Sequence, residues 1–104
     1  MNVLIGKWTQ RDDQPYAGLW FEFAANGEYR AEYDDMAIVS GGTYTLSGDE
    51  IDMDQTTHSL GMVGKFAGRF EVQDDVLKLS LAGGPGQARP ENLDGARIYL
   101  KAAE

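Results

Sequence analysis

The side chains best suited to chemistry in this sequence are one histidine, a run of tyrosines and several paired aspartates. His58 stands alone in THSLGMVGK, and an imidazole titrating near neutrality can serve as a general base, a proton donor or a hydrogen-bonding handle. A carboxylate held beside it would favour the base, and Asp34 and Asp35 follow Tyr33 at the end of an aromatic stretch, EYRAEYDD. His58, Asp34 and Tyr33 are therefore the catalytic candidates. One imidazole cannot hold a metal unaided, and the chain has no cysteine, which excludes thiolate metal sites, disulfides and cysteine nucleophiles. Neither a metal nor a cofactor is expected.

Two other patterns invite chemistry and do not sustain it. IDMDQT carries D-x-D-x-T, a spacing that resembles the nucleophile motif of haloacid-dehalogenase-type phosphatases. That motif works on a buried parallel strand with helices behind it, whereas here Asp52 and Asp54 fall on the outer face of a hairpin strand. Two carboxylates also make a small share of the oxygen ligands calcium takes. GGPGQ has no helix after it to complete a phosphate cradle, so it reads as a loop.

The elements that must position these residues are strands. Apolar alternation recurs along the chain, and 13 glycines punctuate it at intervals typical of all-β domains. Strands are expected near 3–10, 18–24, 28–35, 42–47, 50–56, 64–73, 76–82 and 96–102. Three hairpins fix their own register, because opposed residues share a face. In GLWFEFAANGEYRAEY a two-residue Asn26-Gly27 turn would set Phe23 against Arg30. A three-residue loop, Ala25-Asn26-Gly27, instead pairs Phe23 with Tyr29, Phe21 with Ala31 and Glu22 with Arg30. A Gly48-Asp49 loop pairs Leu46 with Ile51 and Tyr44 with Met53, and an Asp74-Asp75 loop pairs Val72 with Leu77 and Phe70 with Leu79.

Followed along the chain, that alternation gathers an inward set free of charge: Trp8, Phe21, Phe23, Tyr29, Tyr33, Tyr44, Leu46, Ile51, Met53, Phe66, Phe70, Val72, Leu77, Leu79, Leu81, Ile98 and Leu100. One-sided strands joined mostly by hairpins predict an all-β fold, an eight-stranded antiparallel up-and-down barrel, with a two-sheet sandwich as the alternative. A meander sends its three tight turns to one end. The longer connections RDDQPYAG, DDMAIVSGG, THSLGMVGK and GGPGQARPENLDG then ring the other, two of them carrying apolar Met36, Ile38, Val39, Leu60, Met62 and Val63. The expected shape is a cup. Ala31 and Gly68 leave gaps in its wall, while the inward aromatics tend to fill it.

At 104 residues and 42% hydrophobic the chain reads as one globular domain, residues 1–104. A net charge of −8 argues against nucleic acid and anionic membranes as partners. No stretch approaches the ~18 apolar residues of a membrane span. MNVLIGKW has no basic leader region, so a cytoplasmic location is expected if the chain is the whole protein.

Gly6-Lys7-Trp8, the Phe-x-x-Asn-Gly-x-Tyr hairpin at 23–29 and Arg89-Pro90 before Ile98-Tyr99-Leu100 resemble the lipocalin or calycin superfamily, most closely the small bacterial lipocalin-like domains. The resemblance implies a barrel holding a small hydrophobic ligand, with Trp8 across the closed end beneath a basic side chain of the last strand, for which Arg97 is the candidate. GKWT is also similar to the avidins, but no polar ligand-binding set follows it. On pocket logic the ligand-binding candidates are Phe21, Tyr33, Met36, Ile38, Tyr44, Met53, Leu60, Met62 and Phe66. Three functions stay open. The first is binding of a small, mainly hydrophobic molecule, with tyrosine hydroxyls fixing its polar end. The second is a cofactor-free cyclase or isomerase using Tyr or Asp/His proton transfer. The third is a structural or interaction domain with a filled core, acting through outward Trp20 and Tyr99, with Trp20 as a contact in a homodimer or with a partner.

Overall fold

Gly27 settles the first hairpin. In a computed structural model, which describes residues 4–33, 37–82, 84 and 86–102, Gly27 lies at φ 87°, a left-handed conformation that costs a glycine nothing. Ala24 and Glu28 close the three-residue loop through a 2.9 Å backbone bond, and Asn26 Oδ1 accepts from the Glu28 amide at 3.1 Å. Strands β2 (Trp20–Phe23) and β3 (Glu28–Tyr33) then pair Phe23 with Tyr29, Phe21 with Ala31 and Glu22 with Arg30, in the register the sequence predicts. The other two tight turns behave likewise. Gly48, at φ 61°, joins β4 (Ile38–Ser47) to β5 (Glu50–His58) with Leu46 opposite Ile51 and Tyr44 opposite Met53. Asp74 and Asp75, at φ 52° and 63°, form the double left-handed turn between β6 (Gly64–Gln73) and β7 (Val76–Leu81).

With β1 (Gly6–Gln10) and β8 (Arg97–Lys101), these strands follow one another around a closed antiparallel barrel in chain order, and β8 seals against β1. The end of the tight turns is packed solid. Leu4, Trp8, Phe23, Ile51 and Leu77 are fully buried there, and Trp8 donates its indole N–H to the Leu4 carbonyl at 2.9 Å. Phe21, Phe23, Tyr29, Tyr44 and Tyr99 continue the core as a chain of edge-on, tilted and stacked ring contacts 5.0–6.3 Å apart.

The structure corrects the sequence reading in four places. First, β4 begins at Ile38, not near residue 42, and β5 runs on to His58, so much of two expected loops is strand. Gly41 and Gly42, which look like turn punctuation, are there for close approach: a Cβ on Gly41 would lie 2.9 Å from the Tyr29 carbonyl, and one on Gly42 would overlap the Asp54 carbonyl. Second, β8 faces the other way. Tyr99 is 3% exposed and Leu100 is 42% exposed, because the pairing of β8 with β1 and β7 sets Tyr99 opposite Gln10 and Leu77. Ile98 and Leu100 had the apolar pattern, but Tyr99 brings more ring surface and a hydroxyl that accepts from Gln10 at 3.1 Å.

Third, that same register puts Lys101, not Arg97, over Trp8, with Nζ 5.6 Å from the ring centre, while Arg97 reaches Tyr16 at 6.0 Å. Fourth, Gly68 is no gap, since a Cβ there would meet the Leu81 side chain and the Ser80 carbonyl at 2.6 Å.

Outward positions carry the charge. Trp20 faces outward opposite Glu32, covered by Lys7 at 4.2 Å and Arg30 at 5.8 Å. Arg89, in the long segment before β8, donates from one nitrogen to the carbonyls of the paired Ile51 and Gly68, at 3.0 and 2.8 Å, and from another to Asp52 at 2.8 Å. This clip holds the connection against the outside of β5 and β6. Among the described residues no helix is long and apolar enough to cross a membrane.

Two outcomes follow. Replacing Asp75 by Gly relieves a left-handed non-glycine residue and should stabilise the fold by ~0.5–1 kcal/mol in denaturant titration. Burial pushes the Tyr99 phenol up to about 12 from its ordinary 10.0, against a partial opposing effect of the Gln10 bond. The unfolded chain therefore ionises first as pH rises. This stabilisation is complete below pH 10, and about 2–3 kcal/mol should be lost as pH climbs to about 12. Tyr99→Phe should flatten that alkaline decline in pH-dependent melts while lowering stability at neutral pH.

Candidate functional site

Above the packed floor the alternation of β5 breaks once. Gly42 faces Gln55 and Gly41 faces Thr57, which leaves Thr56 without an opposite number. This bulge shifts the period by one residue. Ile51, Met53 and Gln55 point inward below it, and beyond it His58 points inward as the registered partner of Ser40. Without the extra residue His58 would continue the outward row of Asp52, Asp54 and Thr56.

The space so enclosed is a cavity of about 490 Å³ in the mouth half of the barrel. Phe21, Tyr29, Met53 and Phe66 line its deep side, with Ala31, Leu19 and Leu81 around them. Tyr16, Tyr33, Ile38, Leu60 and Met62 surround the opening, where Leu60 is 70% and Met62 54% exposed. The eight strands thus do both things their number permits: side chains fill one half and leave room for a small molecule in the other.

Besides the tyrosines, three polar side chains join this lining: Ser40, Gln55 and His58. Tyr29 donates its hydroxyl to Gln55 Oε1 at 3.3 Å, and Gln55 Nε2 donates to the Met62 carbonyl. That chain ties the wall to the mouth loop 59–63. Burial first, then the negative charge of Asp54, pushes the Tyr29 phenol well above its ordinary range, so it stays a neutral donor. His58 Nδ1 accepts the Leu60 amide at 3.0 Å. In the neutral ring the proton therefore sits on Nε2, so the nitrogen not bonded to Leu60 is a donor rather than a free basic lone pair. Among the described residues that line the cavity none bears a carboxylate, ammonium or guanidinium.

Of the residues singled out in the sequence, Phe21, Tyr33, Ile38, Met53, Leu60, Met62, Phe66 and His58 come together here. Tyr33 meets Tyr16 edge-on at 5.9 Å. Tyr44 is not part of the lining: it lies toward the closed end, donating its hydroxyl to the Ala24 carbonyl at 2.7 Å. Asp34, Asp35 and Met36 lie outside the described residues. Sequence reasoning missed Gln55 and Ser40. Gln55 continues the inward series of Ile51 and Met53, a signal hidden by reading Asp52 and Asp54 as the informative pair. Ser40 was hidden because its stretch looked like loop. A second depression, about 500 Å³, lies on the outer face of β4–β6 among Thr43, Thr45, Asp52, Asp54 and Lys65, beneath Gly86 and Gln87. Its lining also includes Tyr44, Met53, Phe66 and Ala67, but the charged Asp52, Asp54 and Lys65 make it more polar than the barrel cavity.

Because the chain holds one histidine, the bulge has a simple reporter. Gly42→Ala forces β4 from the Asp54 carbonyl and should cost roughly 3 kcal/mol or more. The single imidazole resonance should move toward that of a solvated histidine in NMR spectra of whatever fraction stays folded. No protein-family model matches this chain, and no curated protein or solved structure matches it either.

Proposed function

We propose that this protein binds a small, mainly apolar molecule inside the barrel. The observation that carries the reading is the open, apolar-lined cavity of about 490 Å³, a size ordinary for small-molecule sites. At the density of organic matter it suits a ligand of roughly 15–25 non-hydrogen atoms. A core under pressure only to be stable would use the space, since each buried void forfeits packing contacts. Here the deep wall instead carries Ala31, opposite Phe21 and Ser40, where a larger side chain would fill the gap. The closed eight-stranded architecture is compatible with a lipocalin-like fold, whose interior is a natural place for such a ligand.

The polar groups favour holding over turnover. A cyclase or isomerase working without a cofactor needs a group to take a proton, and the bond from Leu60 to His58 Nδ1 occupies the lone pair that would do so. A role through the outer face has less to work with than the sequence suggests. Tyr99 is buried, and Trp20 is covered by Lys7 and Arg30.

Native mass spectrometry of freshly purified protein should show an adduct that is lost on denaturation, or a 1:1 complex after incubation with neutral apolar compounds. Ala31→Phe should remove that binding by at least tenfold while leaving the melting temperature unchanged or raised, as filling a void does. A bare mass under all conditions, with Ala31→Phe indifferent to ligand, would sink the reading.

A further inference from the structure

We infer that the ligand is an uncharged molecule with a compact apolar body and one hydrogen-bond acceptor of the carbonyl kind, bound body-first with the acceptor at the mouth against His58 Nε2 and the Ser40 hydroxyl. This rests on the binding function proposed above and specifies its chemistry.

The cavity is polarised along its depth. Its inner wall of Phe21, Tyr29, Met53 and Phe66 offers ring and thioether surface, and the one hydroxyl there is already given to Gln55. Gln55 in turn is held between Tyr29 and the Met62 carbonyl, so it serves the wall more than a guest. Besides Tyr16 and Tyr33 beside the opening, the polar groups left for a ligand are His58 and Ser40, which face each other across β4 and β5 near the mouth. From Met53 to His58 the strand rises about 12 Å along the tilted barrel axis, enough for two fused rings.

The sign of the polarity follows from the tautomer. With Nδ1 occupied by Leu60, neutral His58 can only donate, and Ser40 can donate beside it. Two donors on one side call for an acceptor. A carboxylate would also accept, but no cation among the described lining residues offsets the loss of its hydration, and the chain carries a net charge of −8. A ketone, ester or lactone oxygen meets both conditions.

The test uses the full chain at pH 7.5 and three probes of matched shape: 2-acetylnaphthalene, 2-ethylnaphthalene and 2-naphthoate. Dissociation constants come from equilibrium dialysis, for the wild type and for His58→Leu and Ser40→Ala. His58→Leu should weaken the ketone about fivefold or more relative to the hydrocarbon, and Ser40→Ala about threefold, as loss of a hydrogen bond predicts. The naphthoate should bind less tightly than the ketone. In the wild type the ketone should shift the Nε2 resonance of the single histidine, a reading that needs no variant to fold, and the hydrocarbon should not. Equal losses for ketone and hydrocarbon, or an unmoved Nε2 signal with ketone bound, would overturn the assignment while leaving a binding barrel. Tighter binding of the naphthoate would overturn the neutral class. Failure of all three probes to bind would overturn this inference, while a native-mass adduct would leave the binding function standing without it.

Discussion

Strands β4 and β5 run closer together at Gly42 than any side chain would allow, and the mouth half of the barrel is organised by that approach. With no Cβ at Gly42 the Asp54 carbonyl can come up against the backbone, and the strand accommodates one residue more than its partner. The consequence travels along the strand rather than across it. Everything after Thr56 changes face, so a histidine that would have been solvated becomes part of an apolar enclosure. The bulge also lets β5 extend toward the mouth, where Ser59 and Val39 exchange bonds through the Ser59 amide and hydroxyl at 2.9 and 3.0 Å.

The two halves of the barrel solve different problems with one alternation. At the closed end, tight turns bring the strands together and large rings take all the space, with Trp8 bonded to Leu4 and roofed by Lys101. There the buried apolar area supplies most of the stability, at ~25 cal/mol per Å² removed from water. The charged outer pairs add little, because exposed ion pairs contribute at most ~1 kcal/mol. Arg89 differs, since its bonds to two backbone carbonyls fasten a long connection to the wall.

Polar groups inside the cavity are placed so that each has one task. Tyr29 and Gln55 satisfy each other and secure the mouth loop, which keeps the wall in one arrangement. His58 is oriented by a backbone amide, and the same bond leaves Nε2 as the proton-bearing nitrogen of the neutral ring. The described lining is an apolar bed with a few polar groups and no charged side chain.

Local sequence was enough for the strands around each tight turn, because period-two alternation and turn chemistry act within a few residues: Phe23 opposite Tyr29 and Leu46 opposite Ile51 follow from what lies between them. It also placed Phe21, Met53, Phe66, Leu60 and Met62 correctly at the inside or the rim. Contacts between residues distant in the chain decided the rest. The face of β8 depends on closure against β1 and β7, so Tyr99 and Leu100 could not be sorted by their own pattern. The inward turn of His58 depends on a glycine sixteen residues earlier meeting the Asp54 carbonyl, and the neutral tautomer depends on how the loop after it folds back. Alternation is a property of one strand, whereas register and bulges belong to pairs, and only the assembled barrel specifies which pairs meet.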